Sequence, residues 1–254
     1  MDYLGVEAAV GRKGLRLVLT GGVPGPWGEA AKNVLFTKKI PFVPVRQAPG
    51  AEDAKLVEWT RQSSAPVAMF EDERPRSGWA EIVFLAERLA PTPPLVPADP
   101  ADRALMLGLL HELAGEHGLG WSRRLMMFSR SAKPDAARQR GSMPWKYGLE
   151  DPVAVERSAR RVDEILGMLA GQLARQRETD REFLVGNSLS ALDLYWAAFA
   201  TIVAPMPAEL CPMPDFLRPL YDLTSWPDAR PVDEALLAHR DVIYRDHLVL
   251  PVDF

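Results

Sequence analysis

Residues 21–28 read Gly-Gly-Val-Pro-Gly-Pro-Trp-Gly, between a short apolar strand and a helix. A helix N-terminus at this point presents unpaired backbone N–H groups and the positive end of the helix dipole. Such a terminus holds an anion or a thiolate. The stretch contains no Ser, Cys or Tyr. Chemistry here must rest on the amides of Trp27 and Gly28, on Thr20 as the nearest hydroxyl in the chain, or on the bound molecule itself. Pro26 has no N–H to offer, and Glu29 adds a negative charge in the first turn. Gly25 leaves room for a larger group or for close approach to the backbone. Trp27 is either a wall of the site or a surface aromatic packed on a linker.

A second candidate is Ala65-Pro66, at the mouth of an apolar strand. An X-Pro bond has cheap access to cis. A cis bond there would turn an N–H and a C=O outward, in position to pair with a bound peptide backbone. An ordinary turn proline is the equal alternative.

Further along, Trp121, Arg124 and Met127 lie in a stretch of aromatic and Met residues, 120–128. They are expected to line an apolar pocket, with ordinary core packing as the competing reading. Residues 123–146 carry Arg123, Arg124, Arg130, Lys133, Arg138, Arg140 and Lys146 against one acid, Asp135. Such a run draws a carboxylated substrate or forms a solvated face. Met143-Pro144-Trp145-Lys146-Tyr147, in a polar loop, reads as a lid or a dimer contact. His111 and His117 stand six positions apart, about 240° around a helix, and do not share a face. No metal site is expected. No Ser-His-Asp order with an elbow motif occurs.

The composition sets outer limits. The chain has 254 residues, 47% of them hydrophobic and 25% charged, and a net charge of −4. That balance suits a globular protein and opposes a nucleic-acid footprint. The single cysteine, Cys211, excludes an intramolecular disulfide and any C-x-x-C site. It reads as a packing residue. The N-terminal residues lack the apolar core of a signal peptide. The longest apolar stretch, Leu194 to Met206, is too short to span a bilayer. A soluble, cytoplasmic protein without membrane or nucleic-acid partners is expected.

The elements that position these residues follow from periodicity. Leu15–Thr20, Phe42–Val45 and the run after Pro66 read as strands. Pro44 marks the second as an edge strand. Residues 27–39, 52–60 and 78–89 read as helices. Residues 90–100 hold five prolines and suit an extended spacer outside any core. Everything after that is helical: 101–130 as one helix or two, then 151–177, 194 onward, 216–223 and 232–247. Ser190-Ala191-Leu192-Asp193 reads as a capping box, with Leu189 and Leu194 placed for a hydrophobic staple. The helix behind it is apolar almost all round and belongs at the centre of the helical part.

The order of parts resembles the cytosolic glutathione transferases. The resemblance rests on Ala65-Pro66-Val67, on the run from Phe183 to Asp193, and on Trp226-Pro227, in that order. It implies an α/β plus all-α fold, with an N-terminal thioredoxin-like domain (1–90), a Pro-rich linker (91–100) and an all-helical C-terminal domain (101–254). It also implies glutathione as co-substrate, no metal, a small hydrophobic second substrate and a homodimer. Ala65 and Pro66 match the pair whose backbone grips the cysteinyl part of glutathione. Ser77 and Gly78 match the pair that holds its γ-glutamyl end. The usual carboxylate is missing there, and Glu73 or Glu81 would have to replace it. Gly25 stands where such proteins carry a Ser or Cys, and Thr20-Gly21 where others carry a Tyr. Three activities remain open on these residues: conjugation to an apolar or aromatic electrophile, a glutathione-dependent isomerase or lyase, and a non-catalytic ligand-binding or structural dimer.

Overall fold

The computed structural model describes residues 1–48, 53–133, 135, 139–226 and 229–254. Residue 52, where the second helix was expected to begin, Arg138 of the basic run and Pro227 lie outside the described residues.

The chain opens with a short helix, α1 (Val6–Val10), which the periodicity did not reveal. Strand β1 (Leu15–Thr20), helix α2 (Pro26–Thr37), strand β2 (Phe42–Gln47), helix α3 (Ala54–Thr60), strand β3 (Val67–Phe70) and helix α4 (Trp79–Leu89) follow. The sheet order is β2-β1-β3. β1 pairs parallel with β2 and antiparallel with β3. Pro44 lies opposite Leu17 on β2, an edge strand of this order. Its missing N–H costs no bond to β1, because its nitrogen lies on the outer side of β2, the side on which Arg46 N–H donates to Leu4 C=O.

Alternation along β1 sends its side chains to two separate cores. Leu15, Leu17 and Leu19 pack with Ala30, Val34 and Ile82 of α2 and α4, in the main core. Val18 points the other way, and meets Val45, Val67, Val6 and Leu56. Both faces of the strand are covered, so it reads as nearly continuous apolar sequence.

The second half is helical: α5 (Pro100–Ala114), α6 (Leu119–Ser131), the one-turn α7 (Met143–Lys146), α8 (Pro152–Arg177), α9 (Ala191–Phe199), the one-turn α10 (Arg218–Tyr221) and α11 (Glu234–His247). The long segment 101–130 is two helices. Gly115 and Gly118 make the break, because a Cβ at either would stand 2.5 Å from its neighbours. The helix expected at 216–223 shortens to α10 and a 3-10 turn at 223–225.

All nine residues of α9 are buried. Its capping box forms, and Asp193 goes further than a cap. One carboxylate oxygen accepts from the Ser190 amide at 2.9 Å and the Ser190 hydroxyl at 2.7 Å. The other accepts from the Leu184 amide at 2.9 Å and lies 2.8 Å from His239 Nε2 on α11. A buried carboxylate is tolerable only with this degree of satisfaction.

The proline-rich segment departs from the spacer expected of it. Leu95 is fully buried in the main core. Its amide donates to Glu87 at 2.9 Å, and its carbonyl accepts from Ala191 at 2.8 Å. The buried ammonium of Lys38 binds the carbonyls of Ala90 and Pro93 and pairs with Glu87 at 2.8 Å. The segment is pinned from Ala90 to Leu95, and a single Leu in a run of prolines was too weak a signal to show it.

Candidate functional site

The β1–α2 turn behaves as its glycines require. Gly22 has φ +80°, a conformation that side chains resist. Gly25 is the N-cap of α2 with φ −72° and ψ 117°, and Pro26 occupies the first turn. The first internal bond of the helix is Glu29 N–H to Gly25 C=O at 2.9 Å. The amides of Trp27 and Gly28 therefore carry no backbone partner among the described residues. A Cβ built on Gly25 would meet nothing within 4 Å. The glycine faces open space.

That space is a cavity of about 320 Å³ between the sheet end and the helical domain. Thr20, Gly25, Trp27 and Ala65 line it from one side, and Arg124 from the other. The Ala65-Pro66 bond is cis, with Pro66 buried behind Ala65. Gln47 and Ser64, which the sequence did not single out, also line the cavity.

Trp27 is neither at the surface nor on the linker. Its indole N–H donates to Ala114 C=O at 2.8 Å, and its ring meets Phe199 edge-on with centroids 5.1 Å apart. Gly120 makes the fit possible, since a Cβ there would lie 2.9 Å from Trp27. The tryptophan is thus a wedge joining α2 to α5, α6 and α9, with one face on the cavity.

Thr20 is less available than its position suggested. Its hydroxyl donates to Gln47 Oε1 at 2.9 Å, while Gln47 Nε2 donates to Ala48 C=O at 2.8 Å. The second bond orients the amide, so the Thr20 proton is committed to Gln47. Glu29 is also changed by its setting. It is buried and paired with Lys32 at 2.8 Å. Burial, opposed by Lys32, raises its carboxyl to about 7. Its charge is therefore partly removed and partly compensated near neutrality.

The helical side of the cavity comes from α6, α7 and α10. Helical spacing places Arg124 and Phe128 together on the cavity face of α6. Met127 turns the other way, into the main core, and is corrected from pocket lining to packing. Trp121 packs against Tyr147 at a tilt, with centroids 4.5 Å apart, but borders a separate cavity of about 450 Å³ that Tyr147 also lines. Met143, the first residue of α7, and Tyr147, just after its end, line the main cavity. Lys146 reaches across its mouth to the Ser64 hydroxyl at 3.0 Å. This contact places the loop beside the cavity mouth, as the lid reading expects.

The basic run divides. Arg123 is fully buried and structural: it donates to Ile202 C=O and Leu220 C=O, both at 2.8 Å, and lies over the Trp226 ring. Burial lowers its guanidinium to about 10. Arg130 also covers Trp226. Among the described residues of the run, Arg124 is the one that lines the cavity. Its Nη2 donates to the Tyr221 hydroxyl at 3.2 Å, and Tyr221 Oη lies 3.4 Å from Pro24 C=O. Tyr221 thus brings a phenol to the loop that has none of its own. No local signal in the sequence could show a contact between residues so far apart in the chain.

Ser77 and Gly78 do not line the cavity. They stand at the start of α4, and Glu81 accepts from both amides, at 3.2 and 3.1 Å. Glu81 also pairs with Arg74 at 2.6 Å, and Glu73 pairs with Arg76 and Arg88. The two carboxylates expected as ligand partners are thus already engaged. Among the described residues no cluster of His, Cys, Asp and Glu could hold a metal, and no helix is long and apolar enough to cross a membrane.

No protein-family model and no curated protein matches the chain. Solved structures do. A glutathione S-transferase from Methylobacterium radiotolerans, in complex with glutathione sulfonate, is similar at TM-score 0.63 and 18% identity, over 91% of each chain. Glutathione transferase Omega 3C from Trametes versicolor is similar at TM-score 0.60 and 16% identity, over 95% of this chain and 89% of the other. The Tau-class enzyme of mango, Mangifera indica, gives 0.59 and 17%, over 92% and 89%. At these identities the likeness speaks for the fold.

Proposed function

From a chain with the glutathione transferase fold, a thioredoxin-like domain followed by a helical domain, we propose a glutathione-dependent enzyme that conjugates a small apolar or aromatic electrophile. The observation that carries this reading is the cavity at the α2 N-terminus. Two free amides, the backbone beside Ala65 and an aromatic wall from the helical domain converge on it. The similar Methylobacterium structure, solved with glutathione sulfonate, supports glutathione as the ligand. On this reading residues 1–90 hold glutathione and residues 101–254 supply the face for the electrophile. A cytoplasmic homodimer is the implied setting.

The chemistry asked of the site is modest. The thiol gives its proton to solvent, and the amides of Trp27 and Gly28 with the α2 dipole stabilise the thiolate. Tyr221, turning from Pro24, adds a phenolic donor beside the α2 N-terminus. The sulfur lone pair then forms a C–S bond to the electrophilic carbon, and the leaving group departs with the electrons of its own bond. An isomerase or lyase would use the same addition with the thiolate leaving again.

A non-catalytic binder is the second reading. It is favoured by the commitment of Thr20 to Gln47 and by the occupied amides of Ser77 and Gly78. Thiol conjugation assayed over a panel of aryl halides and activated alkenes separates the two. Turnover that rises in Gly25→Ser supports the enzyme, because the added hydroxyl enters open space at an ordinary φ. No turnover in either protein supports the binder.

A further inference from the structure

The cavity holds a cation without a counter-charge. Arg124 remains protonated at any ordinary pH. Its one hydrogen bond among the described residues is from Nη2 to the Tyr221 hydroxyl, and its guanidinium lies over that same ring at 5.5 Å. It forms no ion pair with a carboxylate among the described residues. Glu29, the acid that also borders the cavity, is paired with Lys32 instead. No partner for Arg124 Nε or Nη1 is found among the described residues, and the side chain lines the cavity. Its neighbour Arg123 shows the contrast, with its donors spent on backbone carbonyls. A partly desolvated charge left unpaired is costly, and a bound anion would offset that cost.

We propose that the second substrate is a flat aromatic acid whose carboxylate docks on Arg124. The inference rests on the glutathione-conjugation reading above. Nη2 keeps a second N–H beside the one given to Tyr221, and with Nε or Nη1 it makes a fork that matches the two oxygens of a carboxylate. A doubly charged phosphate would exceed the single positive charge available. The rings of Trp27, Phe128 and Tyr147 pack into an aromatic wall beside the cation, with the Tyr147 centroid 6.4 Å from Trp27 and 5.6 Å from Phe128. A cavity of about 320 Å³ suits a single substituted ring. The electrophilic carbon then lies between Arg124 and the α2 N-terminus, and Tyr221 touches both ends of that span.

The carboxylate on Arg124 has two conceivable sources, the second substrate or glutathione itself, and the test distinguishes them. A chloro-nitrobenzoate and the matching chloro-nitrobenzamide are titrated calorimetrically into wild type, Arg124→Met and Arg124→Lys. Glutathione is titrated separately into the same proteins. In wild type the acid should bind about tenfold or more tightly than the amide. That preference should vanish in Arg124→Met and partly survive in Arg124→Lys, with glutathione affinity unchanged. Equal binding of acid and amide to wild type overturns the proposal, whatever the folding of the variants. So does a preference that survives in Arg124→Met. Weakened glutathione binding with an unaltered acid-to-amide ratio also overturns it, and assigns Arg124 to glutathione. If glutathione binds none of the proteins while the acid preference holds and depends on Arg124, the anion site stands and the conjugation reading alone fails.

Discussion

The Tyr221 hydroxyl lies 3.4 Å from the carbonyl oxygen of Pro24. A phenol on the second-last helix of the chain thus stands over the turn that opens α2, where Gly25 leaves a gap. If Tyr221 supplies a donor to a developing thiolate, Tyr221→Phe should lower kcat/KM for conjugation roughly ten- to hundredfold. Glutathione affinity should change little. Steady-state kinetics beside calorimetry check this, and an unchanged kcat/KM would remove Tyr221 from the chemistry.

Glu81 blocks the amides assigned to the γ-glutamyl end of glutathione. Its carboxylate accepts from Ser77 and Gly78 at 3.2 and 3.1 Å, as a ligand carboxylate would. Arg74 and these two amides hold it well below the usual carboxylate range, the Arg74 hydrogen bond first. Glu81→Ala should expose both N–H groups and tighten glutathione binding by roughly three- to tenfold. It should also cost about 1 kcal/mol of stability, as a lost helix cap does. Weaker binding in the variant would place the γ-glutamyl end elsewhere.

Glu29 makes stability depend on pH. Burial raises its carboxyl from 4.5 to about 7, against the pull of Lys32. The folded state therefore holds this proton more tightly than the unfolded chain. The contribution is complete below about pH 4.5 and is lost as pH rises through about 7. Denaturant melts at about pH 5 and about pH 8 should show the loss in wild type, and Glu29→Gln should remove this part of the slope. An unchanged slope would place the titration on another group.

Asp193 joins the start of α9 to α11 through four donors, including His239 at 2.8 Å. Asp193→Ala should destabilise the fold by about 3 kcal/mol or more, because it strands those donors. Equilibrium unfolding measures it, and a loss below about 1 kcal/mol would reduce the residue to an ordinary cap.

Local signals made much of this architecture legible. The apolar run of β1 ended at glycines, Pro26 opened α2, Pro44 pointed to an edge, and Ser190 with Asp193 marked the central helix. Each is a rule that acts within a few residues. What stayed hidden depends on distant partners. His239 under Asp193, Leu95 sunk in the core from a proline-rich segment, and Tyr221 over Pro24 are set by packing between elements, and no short window holds both halves. The same limit explains Met127 and Ser77. The first sits among pocket-like neighbours and turns inward; the second sits at a suitable helix start whose amides Glu81 already occupies.

The most direct measurement is a calorimetric titration of glutathione into wild type and Gly25→Trp. Saturable binding to wild type, abolished when the indole fills the open space at Gly25, is the expected result. No binding to wild type, or binding that Gly25→Trp leaves intact, would contradict a glutathione site at the N-terminus of α2.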